Sequence, residues 1–120
     1  MTLTDNLFKI LHREPDENGV TVTVLPCLEH PIYQAHFPGN PITPGVCLVH
    51  LVGELAEQHT GLKLQLQEIK NIKFLNMLVP QENHPVLFHL TIDPDSWKVQ
   101  ALVNDSDTTY AKMSLRYTAK

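Results

Sequence analysis

Residues 36–50 read HFPGNPITPGVCLVH, with a histidine at each end and three prolines and two glycines between them. Imidazole titrates near neutral pH, so a histidine in a constrained loop is a natural general base. Pro38, Pro41 and Pro44 stiffen the path away from His36, because each fixes φ and restricts the residue before it. Gly39 and Gly45 let the backbone turn or a ligand come close. An apolar helical stretch begins just after Gly45, and the first amides of a helix have no partner within it. Such N–H groups can hold an anion, or a carbonyl oxygen gaining negative charge. His36 as base and the Gly45 N–H as oxyanion donor would together suit removal of a proton beside a carbonyl. A Pro/Gly-rich connector with an incidental histidine would contain the same residues.

The surrounding elements must hold these groups. One helix is expected from Val46 to about His59, entered through Pro44–Gly45 and ended by Gly61. Its first turns, VCLVHLV, are apolar on nearly every side and are expected to be buried all round. Val20–Pro26 alternates Val and Thr, a strand signal. Residues 7–13 read as a strand or a short helix, and 29–45 as a long loop with brief extended pieces. After Gly61 the chain reads as strands: a long, bent one over 62–80, then 85–93, 97–104 and 109–119. DPDS and NDSDT are the turns between the last three. One helix in need of cover and antiparallel strands with one apolar face each predict an α+β fold, with the sheet wrapped around a central helix. The 120 residues are expected to form one domain, with a second copy completing the burial.

HFPGNPITPGV resembles the signature of the β-hydroxyacyl-acyl carrier protein dehydratases of the hotdog fold. IKNIKFLNMLVPQE (69–82) is similar to that family's strand after the helix. The resemblance implies loss of water from a 3-hydroxyacyl thioester to give the 2-enoyl thioester. His36 would take the proton, the Gly45 N–H would hold the thioester oxygen, and an acid on the helix would protonate the leaving hydroxyl. It also implies a dimer with sites at the interface, acyl carrier protein as partner, and no metal or organic cofactor, while Cys27 and Cys47, which show no disulfide-framework spacing, lead to the expectation of a reduced, cytoplasmic setting. The family's acid lies fourteen residues after its histidine, where this chain has His50. Glu54 follows one turn later on the same face. His50 is therefore read either as a substitute acid supported by Glu54, or as a desolvated neutral histidine held by core hydrogen bonds. Three functions stand in order: an active dehydratase; an impaired dehydratase-like subunit that binds acyl chains or completes a heterodimer; and a hotdog thioesterase.

Composition excludes other classes. Nine basic and thirteen acidic residues give 9 − 13 = −4, and the lysines at 63, 70, 73, 98 and 112 form no run, so nucleic acid is not an expected partner. The apolar run VCLVHLV is too short to span a membrane. The seven histidines and two cysteines show no HxxxH or CxxC spacing for a metal. His12, His30, His59, His84 and His89 read as surface or strand residues, and Cys47 as packing.

Overall fold

The computed structural model describes residues 3–4, 6–35 and 41–120. Its elements are β1 (Phe8–Pro15), β2 (Gly19–Pro26), α1 (Pro31–Ala35), α2 (Gly45–Thr60), β3 (Leu64–Phe74), β4 (Val86–Ile92), β5 (Lys98–Asn104) and β6 (Thr109–Ala119). Among the described residues the strands form one antiparallel sheet in the order β1-β2-β4-β5-β6-β3, leaving β1 and β3 at its edges. Strand alternation sets the inner face. Val20, Val22 and Val24 of β2 and Val86, Phe88 and Leu90 of β4 are buried. So are Val99, Ala101 and Val103 of β5 and Ala111, Met113, Leu115 and Tyr117 of β6. Phe8 meets Phe88 edge to face, with centroids 6.2 Å apart.

Helix α2 lies on this face through Leu48, Leu51, Val52, Leu55 and Ala56. Full burial of each larger side chain is worth about 1.5–3 kcal/mol. Gly61 ends the helix at φ 74°, a left-handed conformation that only glycine adopts freely, with its N–H on Glu57 O. In the single chain the first turns are not covered on all sides: Val46 is 73 % exposed and Val49 only half-buried. The sheet covers one side of the helix, and its twist carries it away from the other.

β3 explains the long bent strand. Its apolar residues fall at 64, 66, 69, 72 and 74, which strict alternation cannot place on one face. Two bulges resolve the conflict, because Gln67 and Lys70 have no register partner on β6. Leu64, Leu66, Ile69, Ile72 and Phe74 consequently all sit across from inward-facing positions of β6 or its end. Two local expectations are corrected. The segment before His36 contains the short helix α1, opened by Pro31 and anchored by buried Tyr33; five residues are too few to show a period. Trp97 stands at φ 57° with its N–H on Asp93 O, so it belongs to the turn and β5 starts at Lys98.

The β5–β6 turn is organised by Asp105, whose side chain is 5 % exposed. Its carboxylate accepts the Tyr110 hydroxyl, His84 Nε2 at 2.8 Å, and the Asp107 and Thr108 N–H groups. The bonds from Tyr110 and His84 hold its carboxyl well below the usual carboxylate range. Because the folded value is depressed, the stabilisation is fully present above about pH 4, the unfolded value, and is lost as pH falls through the folded one. Asp105→Asn should therefore cost about 1–2 kcal/mol in urea unfolding at neutral pH, and the gap to the unsubstituted protein should close in acid. A gap that is constant across this range would contradict the assignment.

Candidate active site

The helix start is shaped by its flanks. Pro44, the N-cap, has φ −61° and ψ 142° and offers no side-chain cap. Among the described residues nothing accepts from the Gly45 N–H, as expected for the first amide of a helix. The approach is anchored: the Thr43 N–H donates to Leu78 O at 2.8 Å, and Thr43 Oγ1 lies 2.9 Å from Tyr33 Oη in the core. That buried hydrogen bond ties α1 to the helix entrance, and burial pushes the Tyr33 hydroxyl up to about 12. His36, the expected base, lies outside the described residues.

The Phe74 ring packs on Gly45. A Cβ at that position would fall 2.6 Å from Phe74 Cζ. Beside this contact an apolar groove of about 700 Å³ opens between Ile42, Leu48, Leu75, Met77 and Leu78. A second groove, about 410 Å³, runs along the bare side of α2 between Val46, Val49, His50 and Gly53 and the end of the sheet at Leu66 and Tyr117. Burial pushes the Tyr117 hydroxyl up to about 12, and the Glu57 carboxylate acts in the same direction.

His50 is on this bare side, with 49 % of its side chain exposed. The expectation of a desolvated histidine is therefore corrected for the single chain. The apolar neighbours in sequence, Leu48, Leu51 and Val52, point to the other side of the helix. Glu54 is the buried member of the pair, at 11 %, and its Oε2 lies 3.0 Å from His50 Nε2. Further donors converge on it: the Leu3 N–H on Oε2 at 2.6 Å, and the Thr4 N–H and hydroxyl on Oε1 at 3.0 and 3.1 Å. These three donors engage both oxygens of the carboxylate. Glu54 is therefore a fixed acceptor, with the His50 ring in ion-pair distance beside it.

The structure thus joins His50 to Glu54, and the helical rise puts Gly45 about 7.5 Å before His50 along the axis. Sequence reading missed Leu3 and Thr4, roughly fifty residues away in the chain, and the Tyr33–Thr43 bond. An i,i+4 pair is visible in a sequence, but a main-chain amide arriving from another element leaves no local pattern. Four other histidines have structural partners: His12 meets Glu14, His84 meets Asp105, and His89 meets Thr21 and Asn104, while His30 accepts the Ile32 N–H. Cys47 is packed in the core, and burial pushes its thiol up. Among the described residues no three His, Cys, Asp or Glu side chains converge to hold a metal, and no helix is long and apolar enough to cross a membrane.

Residues 12–114 match the family model ApeI-like, described as ApeI dehydratase. The 3-hydroxyacyl-[acyl-carrier-protein] dehydratase FabZ of Acetivibrio thermocellus is 34 % identical over 79 residues, 60 % of this chain and 53 % of that protein. FabZ of Levilactobacillus brevis is 32 % identical over 93 residues, 67 % of this chain and 62 % of that protein. The chain spans about half the length of the curated relatives it matches. Among solved structures, the dehydratase heterocomplex ApeI:P of Xenorhabdus doucetiae superposes with a TM-score of 0.80 at 20 % identity, covering 91 % of this chain and 96 % of that one. An uncharacterized protein of Erwinia carotovora subsp. atroseptica gives 0.70 at 22 % identity, covering 94 % and 97 %. These likenesses establish the hotdog-type α+β fold.

Gly45 and Phe74 should be coupled. Alanine improves helix propensity by up to about 1 kcal/mol, but its Cβ must displace the ring. Gly45→Ala should therefore destabilise the protein by about 1 kcal/mol alone and stabilise it in a Phe74→Ala background. Equal effects in both backgrounds, measured by urea unfolding, would contradict the packing.

Proposed function

The chain belongs to the ApeI-like dehydratase family, and we propose that it dehydrates a 3-hydroxyacyl thioester to the 2-enoyl thioester. His36 removes the proton from the carbon beside the carbonyl, as a general base. The Gly45 N–H holds the thioester oxygen as charge builds on it. His50, as an imidazolium stabilised by the Glu54 carboxylate 3.0 Å away, transfers a ring proton to the departing hydroxyl. The observation that carries this reading is the His50–Glu54 pair on the uncovered side of α2, beside a groove and about one and a half turns from an amide with no acceptor among the described residues. No metal or organic cofactor enters any of these steps.

The active unit is a dimer in the cytoplasm, built from one domain per chain over residues 1–120. Exposed Val46 and the exposed apolar residues of edge strand β3, Leu66, Ile69 and Phe74, support a second hotdog subunit at this side. His50 of one subunit then meets His36 of the other. The acyl chain arrives on acyl carrier protein, as the names of the FabZ relatives suggest. A second reading has its own observation. His50 stands half-exposed where the family has a carboxylate, and a neutral imidazole is a poor proton source, so the chain would serve as the non-catalytic member of a heterodimer.

Assays of enoyl absorbance on a 3-hydroxyacyl thioester decide between the two. His36→Ala and His50→Ala should each lower the rate about a hundredfold or more, while His50→Glu keeps or raises it. Gly45→Pro should do comparable damage: Pro44 already has the ψ that a following proline requires and proline suits a first helical position, so chiefly the N–H is lost. Gly45→Ala, which keeps the N–H, is the steric control. An unsubstituted protein with no activity alongside an active His50→Glu variant would identify the partner-subunit reading. Sedimentation as a monomer at micromolar concentration would exclude the homodimer.

A further inference from the structure

The chain has three tyrosines, and their hydroxyls are treated differently by the fold. Tyr33 Oη is bonded to Thr43 Oγ1 in the core, and the Tyr110 hydroxyl donates to the Asp105 carboxylate. The Tyr117 hydroxyl has no hydrogen-bond partner among the described residues, although the residue is only 4 % exposed. The Glu57 carboxylate is near enough to act on it through space, but one carboxylate oxygen takes the Leu64 N–H and neither is hydrogen-bonded to Tyr117. A phenylalanine would bury the same ring with no hydroxyl to desolvate, so an unpaired hydroxyl at this depth calls for a partner from outside the fold.

The place of the hydroxyl narrows what that partner is. Tyr117 lies across from Leu66 in the β6–β3 register, and its ring packs over Gly53 of α2, where a Cβ would fall 3.3 Å from the hydroxyl oxygen. Both residues line the groove of about 410 Å³ along the bare side of the helix, a volume in the range of small-ligand sites. Among the described residues no fully buried side-chain oxygen or nitrogen lacks a partner, so the unpaired Tyr117 oxygen is open to this groove. The groove changes character along its length. Near the helix start its wall is apolar, with Val46 and Val49. Three residues past His50, about 4.5 Å along the axis, it reaches Gly53 and the Tyr117 hydroxyl, and beyond them Glu57 and Lys120. Burial pushes the hydroxyl up to about 12, so it keeps its proton at neutral pH and donates. A plain alkyl chain in this groove would leave that donor without an acceptor, whereas a chain carrying an oxygen at that point would supply one.

We propose that Tyr117 is a specificity-determining residue: its hydroxyl donates to an oxygen-bearing group, hydroxyl or carbonyl, on an acyl chain lying along the bare side of α2. The proposal rests on the dehydration reading for the identity of the ligand as an acyl thioester. The unpaired donor in the groove stands independently of it.

The test uses the full chain and 3-hydroxyacyl thioesters of N-acetylcysteamine of one chain length, either plain or with a second hydroxyl on one carbon beyond the third. Enoyl absorbance gives kcat/KM for each compound with the unsubstituted protein and with Tyr117→Phe, whose thermal melt reports folding. The unsubstituted protein should prefer one oxygenated compound over the plain one by about three- to tenfold, the worth of one hydrogen bond, and Tyr117→Phe should erase that preference. Tyrosine labelled with ¹³C at Cζ reports the hydroxyl directly, its three signals assigned from the Tyr33→Phe, Tyr110→Phe and Tyr117→Phe variants. One oxygenated compound should shift the Tyr117 signal where the plain one does not. A signal that moves equally with all compounds, or with none, overturns the proposal; the second result is the one expected if a partner subunit bonds the hydroxyl. In an active protein, the absence of a preference, or one that survives in Tyr117→Phe, overturns it as well. An oxygen-dependent shift in a protein that dehydrates none of the thioesters upholds the binding role and removes the dehydration reading instead.

Discussion

Helix α2 buries Leu48, Leu51, Val52, Leu55 and Ala56 against the sheet and leaves Val46, Val49, His50 and Gly53 beside an open groove. A helix has a full circumference and a sheet offers it one face, so a single layer can cover only part of it. The hydrophobic term therefore divides the helix into a structural side, whose contacts hold the fold, and an open side. On the open side lies a histidine that would be costly to bury in its charged form. The helix start has the same division. Leu48 packs inward one turn from Gly45, whose amide has no acceptor among the described residues, and Val46 points out.

What surrounds the helix adapts to that division. The two bulges of β3 allow five apolar residues at uneven spacing to share the inner face, and they deliver Phe74 to Gly45. The absence of a side chain at Gly45 is what admits the ring, so the glycine serves packing as well as an accessible amide. On the far side of the entrance, the Tyr33–Thr43 hydrogen bond and the Thr43–Leu78 main-chain bond hold the residue that leads into Pro44. These are buried polar contacts with defined partners, and they confer direction where apolar packing alone would tolerate sliding.

The pairing of a mostly buried carboxylate with a half-exposed imidazole changes what position 50 can do. A carboxylate there would present its own proton to a hydroxyl. In this chain Glu54 is fixed by main-chain amides, and the imidazole at position 50 lies within ion-pair distance of it on the open side of the helix.

Much of this was legible in the chain itself. Val–Thr alternation in β2, the single helical stretch between Pro44 and Gly61, and the turn residues between the last strands determined the α+β arrangement, because periodicity records which face meets apolar surroundings. The four-residue spacing of His50 and Glu54 determined that they could pair. The HFPGNPITPG run marked the helix entrance and the family. Only the tertiary structure decided that His50 faces outward, that Phe74 covers Gly45, and that Leu3 and Thr4 saturate Glu54. The reason is physical. Local sequence specifies a helix and its apolar face, but how far a twisted sheet reaches around that helix, and which distant amides arrive at a buried carboxylate, depend on contacts between elements far apart in the chain.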